Sequence, residues 1–466
     1  MKKTESQKDS IKQKGDIKFI VLPWDLLEEK EDTTRYPLGV AYLGSFLESK
    51  GYKTSLLNLS YTAQNELEEP IINMDMNDNT VVCISVLSEN RTSLLRITKI
   101  IKRLNSQVKI IVGGQHPTFL YEQILNNFPI DFVVLGEGEI TLLELLESNF
   151  DINYLKNIKG IAFKYNEKII KTPPRERIKD LDSLPFPKHE FFKNNIENSG
   201  TAIMITSRGC PFNCGFCPSS AYWGRYRTQR SAESVFREME DLIKSFPDLR
   251  RISFFDDEFL VDNNRIIRLC NLIIKSNLKI EWDCIGRLSS INEEIIRLMK
   301  KSGCTSINFG FESGSQKILD NIGKEVKIEQ VLKIIKMLDR NEMGWWGTFF
   351  IGYPGENSKT IKETIKFAKT IKFDVEPKIL LVYPGTKIYN LAKEKKLLTE
   401  DYWLTDGLVP LYTCEHPKWK LWLWCFKIGF FSNFYTGTLF NFLNRRIFIK
   451  LKPRNFYRVF KRYVLN

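Results

Sequence analysis

Three cysteines crowd into eight residues of the segment Ser207-Arg-Gly-Cys210-Pro-Phe-Asn-Cys214-Gly-Phe-Cys217, a Cys-x3-Cys-x2-Cys spacing. Three thiolates on one tight loop can each hold one iron of a [4Fe-4S] cluster, because such clusters are bound by cysteine sulfur. The fourth iron is then left open. An open iron can be chelated by the amino and carboxylate groups of a small molecule and can pass an electron to it. The alternative is a structural zinc loop with a fourth ligand elsewhere, since structural zinc closes four positions. The nearest downstream Cys or His is Cys270, in a stretch that reads as helix rather than as a paired knuckle.

The rest of the chain must position that loop. At 466 residues, with 43% hydrophobic and 27% charged residues, the chain is globular and long enough for about two to four domains. Disordered, collagenous and small disulfide-stapled classes are excluded by those fractions. The first residues, MKKTESQKDSIKQKG, are polar and lack the apolar core of a secretory signal, so a cytoplasmic, reducing location is expected. There a cysteine cluster points to metal before disulfide.

Residues 16–150 alternate short apolar runs with helical spacing: Ile17 to Leu22, Leu38 to Lys50, Lys53 to Leu59, Val81 to Leu87, Arg91 to Leu104, Val108 to Val112 and Asp131 to Leu135. Strands separated by helices in this way need both sheet faces covered, which predicts an α/β, doubly wound parallel sheet. Its ligand crevice would lie beyond the carboxyl ends of the strands. Residues 1–15 read as a polar tail, and residues 151–200, with Pro173-Pro174, Pro185 and Pro187, as a linker. Six further strand-like runs between Ala202 and Val382 predict a partial (β/α)6, TIM-like barrel over residues 201–400. Its chemistry would also sit at the strands' carboxyl ends. Residues 401–466 form a basic, aromatic C-terminal extension expected to be helical.

With Cys210, Cys214, Cys217 and the aromatic Phe216 on one loop, residues 201–400 resemble the radical S-adenosylmethionine enzyme superfamily. The resemblance implies that the cluster reduces S-adenosylmethionine and yields a 5'-deoxyadenosyl radical. It assigns the acidic run Phe254-Phe-Asp256-Asp257-Glu258 to the methionine amino group, through Asp256 and Asp257. Arg287, just after the third strand, would pair with the methionine carboxylate. Within Gly310-Phe-Glu312-Ser313-Gly314, Glu312 and Ser313 fall at the cofactor, where a buried glutamate needs a donor. Gly352, in Phe349-Phe-Ile351-Gly352-Tyr-Pro-Gly355, falls on the segment where adenine rests, and glycine lets backbone approach a ligand. Solvated or packing roles remain open for the acidic run and for Arg287.

The first domain, placed before such a core, is similar to the cobalamin-binding subfamily that includes radical methyltransferases and anaerobic porphyrin cyclases. The matching phrases are Pro37-Leu-Gly39 to Gly44, Val112-Gly113-Gly114-Gln-His116-Pro117-Thr118, Val134-Leu-Gly136-Glu137-Gly138-Glu139, Asp180 to Pro187, and Tyr226 to Ser231. The resemblance implies that Gly39, Gly113, Gly114, His116, Thr118, Gly136 and Glu137 contact cobalamin; His116 reads equally as a turn or capping residue. The Asp-x-His-x-x-Gly motif that supplies a histidine to cobalt in many cobalamin proteins is absent, and the chain has three histidines. Neither Gly-x-Gly-x-x-Gly after the first strand nor Gly-x4-Gly-Lys-Ser/Thr occurs, so dinucleotide and phosphate-loop readings lack their mechanism.

Charge is concentrated at one end. Eleven Lys or Arg and no Asp or Glu lie between His416 and Asn466, against a net charge of +13 for the chain. They interleave with fifteen aromatics. The longest uncharged stretch, residues 428–444, is 17 residues, short of the roughly 20 that span a bilayer. A segment lying on an anionic membrane face fits, as does a packed helical cap. No recognisable RNA-binding fold accompanies the tail, which sets a nucleic-acid surface aside.

The expected function is therefore a radical S-adenosylmethionine enzyme that transfers a methyl group from cobalamin to an unactivated carbon of a small molecule, a hydrophobic one if the tail rests on a membrane. An electron donor such as flavodoxin or ferredoxin is implied. The alternatives are a ring-forming, oxidative enzyme with the same cofactors and a membrane-associated cobalamin-binding protein without catalysis.

Overall fold

The computed structural model describes residues 15–24, 36–287, 291–371 and 377–436, with side chains to residue 432. The expected N-terminal tail (apart from Gly15) and residues 437–466 of the extension lie outside the described residues. Two compact units meet at the 198/199 peptide.

The first unit is built on a seven-stranded sheet of order β2-β1-β3-β4-β5-β6-β7. Its strands are β1 (Asp16–Val21), β2 (Lys53–Asn58), β3 (Val81–Ser85), β4 (Lys109–Gly113), β5 (Phe132–Val134), β6 (Ile161–Tyr165) and β7 (Lys168–Lys171). The first five pair parallel, and helices Leu38–Ser49, Leu94–Leu104, Gln115–Asn127 and Glu139–Glu147 connect them or follow the fifth. Ile84, Ile110, Val112 and Val133 are buried in one apolar cluster, as strands covered on both faces require.

The segment expected to be a linker departs from that reading. Residues 161–171 fold as a hairpin that adds β6 and β7 antiparallel to the sheet edge. Its two-residue turn, Asn166-Glu167, holds both residues at positive φ (48° and 58°), the geometry whose twist suits a hairpin. The chain then packs back on the unit: Phe191 sits where a Cβ on Gly44 would fall 2.6 Å from its ring, and Phe192 stacks on Tyr36 at 4.5 Å.

The second unit holds a six-stranded, wholly parallel sheet: β8 (Thr201–Met204), β11 (Arg251–Phe254), β12 (Glu281–Gly286), β13 (Cys304–Glu312), β14 (Gly344–Ile351) and β15 (Pro377–Ile379), adjacent in that order. This is the predicted (β/α)6 arrangement. Its helices start where side chains can accept the first free amides: Ser231 from Ser234, Asp262 from Arg265, Asn292 from Ile295. A short ribbon, β9 (Ser207–Arg208) with β10 (Thr228–Gln229), brackets the cysteine loop.

The extension forms a helix, Lys418–Thr436. Leu421, Trp424, Cys425 and Ile428 are buried against the second unit, whereas Trp419, Leu423, Phe426 and Phe431 are exposed. Among the described residues no helix is long and apolar enough to cross a membrane.

Behind the ribbon, Arg230 is buried and pairs with buried Glu238, while its amide donates to the Thr206 carbonyl at 2.9 Å. Removing one partner strands the other charge without solvent. Glu238→Ala is expected to destabilise the chain by about 3–5 kcal/mol in chemical denaturation; an unchanged midpoint would contradict the burial of this pair.

Candidate active site

The loop carrying the cysteines is fixed before any ligand arrives. Gly209 enters it at φ 83°, where a Cβ would collide with the Tyr226 carbonyl. The Gly215 amide donates to Ile322 O (3.0 Å) and its carbonyl accepts from the Ile388 amide (3.3 Å). A Cβ on Gly215 would lie 2.6 Å from the Tyr353 hydroxyl, so the residue between Cys214 and Phe216 has to be small. Phe216 packs on Phe350 and Tyr353, ring centroids 5.1 and 6.5 Å apart, tying the loop to the end of β14.

All three cysteines are free and half-buried. Burial pushes the thiols up, Cys210 to about 12 and Cys217 to about 11, with Cys214 also raised. Lys324 and Arg287 oppose the rise at Cys214. Such thiols remain protonated at neutral pH until a metal takes the proton's place.

The acidic run divides its roles. Asp256 is buried and accepts from the Thr206 amide and hydroxyl (3.1 and 2.9 Å) and from Ser207 Oγ, which anchors the strand entering the loop. Asp257 accepts from the Gly209 amide at 3.2 Å. Glu258, which sequence reasoning did not single out, is buried and accepts from the amides of Leu260 (3.0 Å) and Arg287 (3.1 Å). Burial raises its carboxyl to about 7. Asp256 and Asp257 thus use oxygens to hold the loop, and Glu258 holds the backbone that presents Arg287.

Arg287 is 7% exposed, and its guanidinium lies 3.5 Å from the Phe212 ring centroid within the cysteine loop. Among the described residues, none of its three buried guanidinium nitrogens has a hydrogen-bond partner. Glu312 ends β13 at φ 61°. Its Oε1 accepts from Lys324 Nζ at 2.8 Å, and its buried Oε2 has no partner. Burial works to lower the Lys324 pKa, but Glu312 and Cys214 together more than offset it and the net direction is up. Gly310 makes room for this pair, since a Cβ there would strike the Glu312 carboxylate. An unpaired buried guanidinium and an unpaired carboxylate oxygen beside three thiols are what a zwitterionic, polyhydroxylated ligand would satisfy.

Ser313 and Gly352 are placed differently. Ser313 Oγ lies 3.2 Å from Thr364 Oγ1 and accepts from the Ser315 amide, joining β13 to helix Ser358–Ile371. Gly352, at φ 100°, has Leu421 of the C-terminal helix over the position of a Cβ, at 3.2 Å. Its amide donates to Glu356 at 2.5 Å, and Glu356 Oε1 is buried without a partner. Glu258, Lys324 and Glu356 gave no signal in the sequence beyond charge, because burial is what makes each matter.

In the first unit the glycines at the strand ends and in the first turn of helix Leu38–Ser49 divide in the same way. Gly114, at φ 105°, would bring a Cβ within 2.7 Å of the Val86 carbonyl, whereas Gly39 and Gly136 face open space. Thr118 Oγ1 donates to Gly114 O (2.8 Å) and accepts from the Gly136 amide (3.1 Å), bridging the two loops with Gly113 beside them. Glu137 accepts from the Ile178 amide at 2.9 Å. His116 is 3% exposed, its Nδ1 3.0 Å from Ser88 Oγ, and burial holds its pKa down to about 3. It is a neutral, interior histidine. The bare backbone at Gly39 and Gly136 suits a broad ligand that must approach closely.

Comparison with known proteins identifies both domains. Residues 204–368 match the Radical SAM superfamily and residues 32–146 match the B12 binding domain. The chain belongs to the radical S-adenosylmethionine enzymes that carry a cobalamin-binding domain, and its cofactors are a [4Fe-4S] cluster, S-adenosylmethionine and cobalamin. It is 33% identical over 394 residues to an uncharacterized methyltransferase of Pyrococcus horikoshii, covering 84% of each chain. It is 30% identical over 355 residues to the anaerobic magnesium-protoporphyrin IX monomethyl ester cyclase of Rubrivivax gelatinosus, covering 72% of this chain and 62% of that one. Among solved structures, the radical S-adenosylmethionine methyltransferase TsrM of Kitasatospora setae, with cobalamin and a [4Fe-4S] cluster bound, shares the fold with a TM-score of 0.68 and 18% identity over 82% of this chain and 78% of that one.

Burial raises the Glu356 carboxyl from 4.5 to about 7. A folded-state pKa above the unfolded value makes the ionised form a burden: its cost is absent below about pH 4.5 and complete above about pH 7. Glu356→Gln in the cofactor-free chain should therefore match the wild type at pH 4.5 and exceed its stability by up to about 3 kcal/mol above pH 7. A difference that stays flat across that range would refute the assignment.

Proposed function

We propose that this protein is a cobalamin-dependent radical methyltransferase acting on an unactivated carbon. The observation that carries the reading is the pair of orphaned buried groups, the Arg287 guanidinium and Glu312 Oε2, set beside the loop of Cys210, Cys214 and Cys217. The name of the Pyrococcus relative supports methyl transfer over other outcomes.

In this reading Cys210, Cys214 and Cys217 hold the cluster, and their raised pKa values mean that loading expels protons. When bound, the cluster supplies an electron to the sulfonium and cobalamin supplies the methyl group. Arg287 takes the methionine carboxylate, stiffened by Phe212 below it and by Glu258, which fixes its backbone amide. Glu312, held by Lys324, accepts from the ribose hydroxyls or the methionine amine. Phe216, Phe350 and the Gly352 segment form the apolar side on which adenine rests. Gly39 and Gly136 give cobalamin its close approach, with Thr118 and Glu137 setting the loops that carry them. A small-molecule substrate and a flavodoxin- or ferredoxin-type donor complete the system, in the cytoplasm.

Anaerobic incubation with reductant, cell extract and methyl-labelled S-adenosylmethionine should yield 5'-deoxyadenosine together with label in a product, and Cys214→Ala should yield neither while folding normally. Wild-type 5'-deoxyadenosine from that variant would reject the cluster assignment. The second reading, ring formation, is favoured by the cyclase relative; it predicts 5'-deoxyadenosine with an unlabelled product.

The helix Lys418–Thr436 exposes Trp419, Leu423, Phe426 and Phe431 beside Lys418, Lys420 and Lys427, a pattern suited to resting on an anionic lipid surface. The chain should sediment with phosphatidylglycerol vesicles at low salt, less at high salt, and not with phosphatidylcholine vesicles. Failure to sediment with the anionic vesicles would remove the membrane role.

A further inference from the structure

One face of the second sheet is closed by helices; on the other, among the described residues, two large rings stay exposed. Phe254 stacks with Phe259 and meets Trp282 on the closed face. Trp345 points the same way, its Nε1 donating to Asp339 of helix Ile328–Arg340 at 2.8 Å. Side chains alternate along a strand, so Phe255 and Trp346 project from the opposite face. There they remain 39% and 45% exposed, although Trp346 lies on an interior strand and Phe255 directly follows one.

Polar groups share this second face. Ser253 donates to Asp283 at 2.8 Å from the register partner next to it. Ile285, Asn308 and Trp346 lie side by side across β12, β13 and β14. Asn308 Oδ1 is buried and has no hydrogen-bond partner, a cost that a native interior normally avoids. The same face ends in the candidate active site, since Phe350, two pleats above Trp346, meets Phe216 of the cysteine loop at 5.1 Å. Two pleats span roughly 13 Å, within the length of a medium-sized organic molecule.

We infer that this face is the substrate platform, and that it takes a planar, largely apolar molecule lying on Trp346 and Phe255 with one N–H or O–H group donated to Asn308 Oδ1. Exposed rings on interior strands give a flat body a surface to stack on. The orphaned Asn308 Oδ1 fixes its orientation, because a site built around a buried acceptor discriminates against analogues lacking the donor. Specificity then resides in Asn308 and Trp346, one residue giving polarity and register and the other shape. This rests on the proposed function for the location of the reacting atoms, but the platform itself is read from the sheet.

The test uses the full chain with its cluster reconstituted anaerobically and S-adenosylhomocysteine present, so that nothing turns over. The probes are 3-methylindole, 1,3-dimethylindole, which lacks the N–H, and cyclohexylethanol, which is not planar. Equilibrium dialysis should show 3-methylindole binding, a roughly tenfold loss for 1,3-dimethylindole, and little retention of cyclohexylethanol. Asn308→Ala should bind both indoles equally and weakly, and Trp346→Ser should lose both. Equal affinity of the wild type for the two indoles, or preference for cyclohexylethanol, would overturn the inference without reference to any variant. Because binding is read without catalysis, failure to form 5'-deoxyadenosine would count against the proposed function and leave this result standing.

Discussion

The second unit is organised around an unbalanced set of buried charges at the carboxyl ends of its parallel strands. Glu258, Glu312, Arg287 and Lys324 are removed from water beside three half-buried thiols, and of these groups, among the described residues, only Lys324 and Glu312 form a direct ion pair. Leaving a guanidinium and a carboxylate oxygen unsatisfied is expensive. The scaffold bears it by holding each group through neighbours that are themselves satisfied: Glu258 through two amides, the cysteine loop through Ile322 and Ile388, its entry strand through Asp256. Ligand binding then completes a network that folding leaves open, which is how a site can be preorganised without collapsing on itself.

The same division runs through the first unit. Gly114 and Gly44 are small because protein fills the space beside them, whereas Gly39 and Gly136 are small beside open space. A sequence shows four similar glycines; the structure separates those that serve packing from those that leave room for a ligand.

The parallel strands were legible in the sequence because continuous apolar runs ending in glycine or acidic residues admit few other folds, and the cysteine spacing located the site within the second unit. The hairpin at residues 161–171 was not. Its turn is Asn-Glu rather than the Asn-Gly or Asp-Gly that marks such turns, and the prolines that follow it suggested a linker. Arg287 and Glu312 could be read as strand-end residues, and the structure has them there. Asp256 could not be told from a ligand contact, because its role depends on Thr206 and Ser207, fifty and forty-nine residues away in sequence. Lys324 and Glu258 carry no local mark, since their importance comes from exclusion of water rather than from neighbours in the chain.

Leu421 lies against Gly352 and ties the tail to the carboxyl end of β14. The extension is therefore two things with different tolerances. Leu421, Trp424, Cys425 and Ile428 inherit the intolerance of a core, for any bulk added at Leu421 would press on the strand end at Gly352, while the outward side chains of Trp419, Leu423 and Phe426 can vary with whatever surface the protein meets. Selection acting on location and selection acting on chemistry would thus leave their traces on opposite sides of one helix.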